Sequence, residues 1–201
     1  EFALRAANLL VGNDQGAAGL EMTVLGPSIR FLSPLPIAIT GADQSARLDG
    51  EPLHRWRTIY VNTGSVLTFH QMQDGVRAYL AISGGIDVPV VMGSRSTYTK
   101  SSIGGLDGRA LQKGDIVSTL SVSSDSSIGP RRLPTESEVP VYGEHHEIRI
   151  IPGPQKEAFT QAALDTLLNA EYKIALDSDR MGYRLEGPIL EHTAGADIVS
   201  D

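Results

Sequence analysis

The first residues of the chain carry apolar side chains at helical spacing. The spacing includes Ala3, Ala6 and Leu10, and Gly12 with Asn13 after it is a typical stop signal. The pattern predicts a helix over residues 2–10.

From residue 20 to about residue 120 the pattern changes to short apolar runs separated by turn residues. The runs lie at 20–25, 37–40, 58–61, 66–69, 78–82 and 116–120. The turns between them include Asp49-Gly50, Asp74-Gly75 and Gly84-Gly85. This alternation is typical of antiparallel strands in a closed or partly closed sheet. We therefore predict a mainly β fold with a few helices.

Residues 121–147 are rich in Ser and Pro and have the composition of a linker. They separate a first domain, 1–120, from a second segment, 148–201. In that segment we predict a strand over 147–151 and a helix over 161–169. Thr160 is the expected N-cap, and Leu164, Leu167 and Leu168 the expected buried stripe. A segment this short buries little apolar surface, so we expect further sequence or another chain to complete it.

Composition restricts the classes of partner. The net charge is −7, which does not suit a surface that grips nucleic acid or an anionic membrane. Cysteine is absent, and no apolar run approaches the roughly 18 residues of a membrane span. We expect a cytoplasmic protein with neither nucleic acid nor membrane as a partner.

The common motifs of nucleotide, acyl-transfer and metal sites are missing. The chain has no Walker A pattern, no G-x-S-x-G elbow and no lysine-centred biotin acceptor. Its five histidines do not show metal-ligand spacing, so we expect no metal site.

Two segments of the first domain carry candidate chemistry. Asp43, after a strand, is a candidate general base; the alternative is an Asp that caps a turn. Gly84 and Gly85 would let the backbone approach a ligand, and Arg95 in a hydroxyl-rich loop would bind a carboxylate or phosphate. The alternative there is a loop held by its own Ser and Thr side chains.

A third segment, 177–187, concentrates charge. Asp177, Asp179, Arg180 and Arg184 lie within eight residues. They pair either with a ligand or with one another in an exposed hairpin.

These segments carry a family resemblance. The chain resembles the KipA-like family, also called the biotin-dependent carboxyltransferase or allophanate-hydrolase-subunit-2 family. The matching stretches run in order along nearly the whole chain, at 2–13, 41–43, 77–89, 93–98, 108–111 with 114–115, 152–155 and 178–187.

The resemblance implies a fold of two tandem cyclophilin-like β-barrel domains. Family members have sequence before the first matching stretch and continue well past residue 201. The chain would then hold most of a first barrel, 1–120, a linker, 121–147, and the first part of a second barrel, 148–201.

Three functions follow from the resemblance. The first is the C subunit of an ATP-dependent 5-oxoprolinase, which with an A subunit and a KipI-like B subunit opens 5-oxo-L-proline to L-glutamate. The second is the carboxyltransferase component of a urea carboxylase/allophanate hydrolase system, with biotin carried on another domain. The third is a KipA-type regulator that binds and antagonises a KipI-like histidine-kinase inhibitor.

The enzymatic function implies roles for particular residues. Asp43, Asp179 and Arg180 are the expected catalytic residues. The expected binding residues for substrate or anions are Arg95, Ser83, Gly84, Gly85, Thr97, Gln155, Tyr183 and Arg184. ATP is the expected cofactor, gripped without a Walker A loop or by a partner protein of the complex.

Overall fold

The computed structural model describes residues 1–120, 129–132, 139–143, 145–178 and 182–195. It divides into two compact units, Glu1–His145 and His146–Asp201. Within the described residues, no helix is long and apolar enough to cross a membrane.

The first unit combines one α-helix with two antiparallel four-stranded sheets. One sheet has the strand order β1-β8-β3-β6 and the other β2-β7-β4-β5. The elements are α1 (Phe2–Leu10), β1 (Leu20–Thr23), β2 (Ile29–Arg30), β3 (Leu35–Asp43), β4 (Arg47–Leu48), β5 (Glu51–Pro52), β6 (Ile59–Val61), β7 (Val66–Thr68), β8 (Asp74–Ile82) and a 3-10 helix (Thr99–Ser101). The prediction of a mainly β fold is confirmed, as is the helix over residues 2–10.

The main core takes apolar side chains from both sheets. Ile39 on β3 and Leu80 on β8 are register partners, and both are buried in one cluster with Leu67 of β7. Alternate residues of a strand point to opposite faces, so the neighbours of Ile39 and Leu80 face the other way.

Helix α1 covers that other face. Ala38 and Ala81 are also register partners, and they form a fully buried cluster with Ala7 and Leu10 of the helix. The Thr58 hydroxyl donates to the Leu10 carbonyl oxygen at 2.6 Å, which satisfies one of the carbonyls left open at the helix end. Small side chains on the sheet thus seat the helix closely.

Local turn signals are reliable only in part. Asp49-Gly50 forms the two-residue turn between β4 and β5, with both residues at positive φ, as a type I′ hairpin requires. The predicted turn at Asp74-Gly75 is wrong, because both residues belong to β8. Glycine suits position 75 for two reasons. Its φ is +70°, and a Cβ would lie 3.2 Å from Ala42 on the neighbouring strand, where space is tight.

The predicted strand over 116–120 is also wrong. A single bridge between Ile86 and Thr119 is formed there, and Ile116 is exposed. Two backbone hydrogen bonds, from Asp87 N–H to Ser118 O at 2.9 Å and from Leu120 N–H to Gly85 O at 3.1 Å, accompany this bridge, and the pairing is too short to form a strand.

The second unit has few elements among its described residues. They are a 3-10 helix (Lys156–Ala158), α2 (Gln161–Asn169), β9 (Lys173–Ile174) and β10 (Leu185–Glu186), and the two strands pair antiparallel. The Thr160 hydroxyl accepts the Ala163 N–H at 3.1 Å, so the predicted N-cap is confirmed.

Of two further predictions for the second unit, one is wrong and one holds only in part. Residues 147–151 form no strand, and Ile151 is 93% exposed. The leucine stripe of α2 is only partly buried: Leu164 and Leu167 are half-buried, Leu168 is 67% exposed, and Ala163 is the helix's buried residue. Ile148, Ile151 and Leu168 are apolar side chains that the described part of this unit leaves exposed.

Candidate functional site

Asp43 lies where strand β3 is irregular. The β3–β8 register shifts between Gly41 and Asp43. Gly41 has φ +82°, and a Cβ there would lie 2.4 Å from the Arg77 carbonyl oxygen, so only glycine fits. The shift brings the Asp43 carboxylate to Arg55, whose Nη2 donates to Oδ2 at 3.1 Å.

Both carboxylate oxygens of Asp43 are engaged. Oδ1 accepts the Ser45 N–H at 2.9 Å, which is the turn-capping contact left open as the alternative for this residue. To act as a base, Asp43 would have to share one of its two contacts with a substrate proton.

Asp74 and Tyr142 complete this group of titratable residues. Asp74 is the register partner of Asp43, and its Oδ2 accepts the Tyr142 N–H at 3.3 Å. Burial raises the pKa of the Tyr142 hydroxyl above its usual value, and Arg55 partly offsets that effect. We call Asp43, Arg55, Asp74 and Tyr142 the Asp43 cluster. Sequence reasoning found only Asp43, because the other three join it through tertiary contacts.

The Gly84-Gly85 loop is held by two asparagines from the end of α1. Asn8 is fully buried, and its Oδ1 accepts from Asn13 Nδ2 at 3.0 Å. Asn13 Nδ2 also donates to the Ile82 carbonyl, and its Oδ1 accepts the Gly84 N–H, each at 2.8 Å. Both asparagines lie in the matching stretch 2–13, which gives that stretch a structural role.

The backbone N–H groups of this loop are used within the protein. Those of residues 83–87 donate in turn to Pro36 O, Asn13 Oδ1, Ile82 O, Ala18 O and Ser118 O. Ser83 is itself buried. A ligand here would therefore meet carbonyl oxygens and not a nest of N–H donors.

Arg95 is tied to the same loop from just beyond the turn that Val91 and Ser94 close with an isolated bridge. Its Nη1 donates to the Val88 carbonyl oxygen and lies 4.0 Å from Asp87 Oδ1. The Arg95 side chain is 31% exposed, and the remaining guanidinium N–H groups suit a carboxylate or phosphate.

Thr97 packs against a glycine. An ideal Cβ on Gly105 would lie 1.8 Å from Thr97 Oγ1, and one on Gly104 would lie 2.1 Å from the Ser96 carbonyl oxygen. These glycines permit close approach of two backbone segments. The contact places Thr97 as a structural partner of Gly105.

The matching stretch at 108–111 with 114–115 contains an internal ion pair. Arg109 donates from both Nη atoms to the two oxygens of Asp115, at 2.8 and 3.0 Å. The Arg109 guanidinium, together with the Gln112 N–H, lowers the pKa of Asp115 to about 2.

Asp43 and the glycine loop lie at opposite ends of the first sheet. Asp43 pairs with the first residue of β8, Asp74, while Gly84 follows the last, Ile82. Eight residue steps at about 3.3 Å each separate the two ends by roughly 25 Å. The first unit therefore brings Ser83, Gly84 and Gly85 near Arg95 but not near Asp43.

The remaining candidates belong to the second unit. Arg184 makes an ion pair with Asp177, and both side chains are mostly exposed. Tyr183 is exposed, and Gln155 precedes the 3-10 helix. Asp179 and Arg180 lie outside the described residues. Among the described residues, no group of three or more His, Asp or Glu could hold a metal ion.

Comparison with known proteins gives the class. A family model described as "Carboxyltransferase domain, subdomain A and B" matches residues 1–201. The chain belongs to this family, and the resemblance seen in its motifs is confirmed.

Individual relatives within this family are known by name. The chain is 40% identical over 200 residues to the C subunit of 5-oxoprolinase from Escherichia coli, covering 98% of this chain and 62% of that protein. It is 36% identical over 193 residues to urea amidolyase of Saccharomyces cerevisiae, covering 93% of this chain and 10% of the relative. The crystal structure of Kluyveromyces lactis urea amidolyase matches with a TM-score of 0.80 at 32% identity, over 94% of this chain and 12% of that one.

Proposed function

We propose that this chain acts as the C subunit of an ATP-dependent 5-oxoprolinase, an enzyme complex that opens 5-oxo-L-proline to L-glutamate. The similarity to the C subunit of the Escherichia coli enzyme, over 98% of the chain, carries the proposal. The chain spans about three fifths of that relative's length, so the activity would belong to the full-length protein with its partners.

The chemistry explains the need for ATP. The lactam is a stabilised amide, and transfer of the ATP γ-phosphoryl group to its oxygen makes the ring carbon open to attack. Water then adds to that carbon, the C–N bond breaks, and phosphate leaves, so that glutamate, ADP and phosphate are formed. Arginines suit such a site because a guanidinium holds carboxylates and phosphates.

The residue roles follow the same proposal. Asp43, Asp179 and Arg180 would carry the catalysis, with Asp43 oriented by Arg55. Arg95 would bind an anion, with Arg184 as a further candidate. Since Asp43 and the loop that binds Arg95 lie at opposite ends of β8, at most one of these two ends contacts the lactam.

The assembly is part of the proposal. A KipI-like B subunit and an A subunit would complete the enzyme in the cytoplasm, and ATP would be bound with their help. The chain would supply a cyclophilin-like barrel over 1–120, a linker over 121–147 and the start of a second barrel over 148–201.

A second candidate is carboxyl transfer to urea. The matches to urea amidolyases in sequence and in structure favour it. Biotin would then arrive on a separate domain, and a carboxyl group would pass from carboxybiotin to a urea nitrogen.

The deciding experiment is reconstitution of the complex. Full-length protein is mixed with its A and B partners, and glutamate release from 5-oxo-L-proline and ATP is measured while each component is omitted in turn. We expect activity only when this protein is present. Firm binding to the KipI-like partner without any activity would contradict the proposal and favour urea carboxylation or partner sequestration.

Point variants then test the site. Arg180→Ala should abolish 5-oxoproline-dependent ATP hydrolysis while the complex still assembles. Arg149→Ala, an exposed arginine of the same unit, is the matched control and should keep wild-type turnover. Wild-type turnover in Arg180→Ala would contradict a catalytic role for Arg180.

A further inference from the structure

An open groove of about 840 Å³ lies on the outer face of the second sheet. Its floor is the pair β4–β7, in which Arg47 is the register partner of Thr68. The adjacent pair, Leu48 and Leu67, points into the core. Ser45, Asp49, Val66 and His70 also line the groove.

Arg47 brings positive charge to this floor. Its Nη1 donates to the Gly50 carbonyl oxygen at 2.9 Å, and within the described part of the chain it has no carboxylate partner. Arginine has five N–H donors, so this single contact orients the guanidinium and leaves a fork for a ligand.

Thr68 and His70 place two more polar groups beside Arg47. The Thr68 hydroxyl lies 3.3 Å from His70 Nε2. Asp49, the acidic residue of the lining, already uses Oδ1 to accept the Val66 N–H at 2.7 Å. Arg47 and Thr68 thus supply N–H and O–H donors on the floor of the groove.

Hydrogen bonds fix both ends of the groove. The type I′ turn at Asp49-Gly50 closes one end. At the other, Ser45 Oγ donates to the Gln71 carbonyl oxygen at 2.8 Å and accepts from Gln73 Nε2 at 3.3 Å. A floor of paired strands with tied ends is preorganised, so little ordering opposes binding.

We propose that this groove binds a small organic anion through Arg47, with Thr68 and His70 as further polar contacts. Val66 is the apolar side chain of the lining, so recognition rests on charge and hydrogen bonds and selects a compact polar ligand. The ligand class is a carboxylate or a phosphate, since both accept two parallel bonds from a guanidinium. The groove lies wholly within the first unit, so the inference does not depend on the proposed reaction.

Nuclear magnetic resonance of the full chain tests the site. Inorganic phosphate, 5-oxo-L-proline and 2-pyrrolidinone, the neutral ring without a carboxylate, are titrated while amide signals and the Arg47 Nε–H are followed. We expect saturable shifts at Arg47, Thr68 and His70 with at least one of the anions and none with 2-pyrrolidinone. If only one of the two anions saturates, the result tells whether the groove binds a phosphate or a carboxylate.

Two variants and a control separate this site from general ion effects. Arg47→Gln should weaken binding roughly tenfold to a hundredfold, since it removes a charge-assisted contact. Arg47→Lys, which keeps the charge without the fork, should weaken it less. Arg57→Gln, an exposed arginine outside the lining, should bind as wild type.

Three results would overturn the inference. They are the absence of saturable shifts with both anions, equal shifts with 2-pyrrolidinone, and wild-type affinity in Arg47→Gln. The Arg47→Gln variant is used only if its amide spectrum is dispersed, as in the folded protein. If it is not, Thr68→Val is tested instead, and it should also weaken binding. None of these results bears on the reconstitution experiment, which measures turnover by the complex.

Discussion

Single charged residues stabilise the loop region of the first unit through specific pairing. Asp115 accepts two bonds from Arg109 and one from the Gln112 N–H, and these hold its pKa at about 2 instead of the usual 3.8. A pKa lowered by folding means that the ionised carboxylate stabilises the folded state. That contribution is present above about pH 4 and is lost as the pH falls through about 2.

Asp115→Asn should therefore lower the free energy of unfolding at pH 7, with a difference from wild type that shrinks between about pH 4 and about pH 2. Urea denaturation followed by the fluorescence of Trp56, the chain's single tryptophan, measures this for the first unit. Asp14→Asn, at an exposed carboxylate, is the control and should show little change. A difference for Asp115→Asn that stays constant with pH would contradict the pairing.

At this scale the sequence predicted residue types better than partners. The two interpretations of Asp43, base or turn cap, could not be separated, since its contact with Arg55 depends on a register shift between β3 and β8. Arg47 was not singled out, because one arginine beside a turn carries no motif. Its position opposite Thr68 emerges only from strand pairing.

Among the elements, the end of α1 is joined to the end of β8 by the Asn8–Asn13 contacts. Asn13 serves three partners at once: the Ile82 carbonyl, the Gly84 N–H and the Asn8 side chain. Ile86 adds a backbone bond to the Ala18 carbonyl at 2.9 Å. The helix thereby sets the position of the loop that leads to Arg95.

Asn13→Ala should destabilise the first unit by about 1–3 kcal/mol, because it leaves partly buried polar groups without partners. The Gly84 amide should also exchange its hydrogen faster, since its acceptor is gone. Urea denaturation and amide exchange measure the two effects. Asn62→Ala, an exposed asparagine, should stay within about 0.5 kcal/mol of wild type. Equal losses in both variants would show that Asn13 does not hold the loop.

Elements were predictable where their signals are local. The helical spacing of residues 2–10, the Asp49-Gly50 hairpin and the Thr160 cap each depend on neighbours in sequence. The failures at 74–75, 116–120 and 147–151 all depend on how many residues of a distant segment align to pair with the run. Alternation alone does not contain that information.

At the scale of the whole molecule, the described parts of the two units differ sharply in how much apolar surface they bury. The first unit holds both sheets and the buried clusters around Ile39, Leu80 and Ala38. In the described residues 146–178 and 182–195, Ala163 is the buried apolar residue, while Ile151 and Ile189 are each more than 90% exposed. Burial of apolar area is the main favourable term in folding, so we expect the second unit to be less stable than the first.

Amide hydrogen exchange of the chain followed by mass spectrometry should display this difference directly. Amides in α2 should exchange at least roughly tenfold faster than those in β8, because opening α2 exposes little additional apolar surface whereas opening β8 disrupts the core. Helix α2 is a suitable comparison because its N–H groups are hydrogen-bonded within the helix and Thr160 caps its first turn. Fast exchange in α2 would therefore show that few tertiary contacts hold the helix in place. If α2 and β8 exchange equally slowly, the second unit is as stable as the first, and the expectation that further sequence or another chain completes it fails.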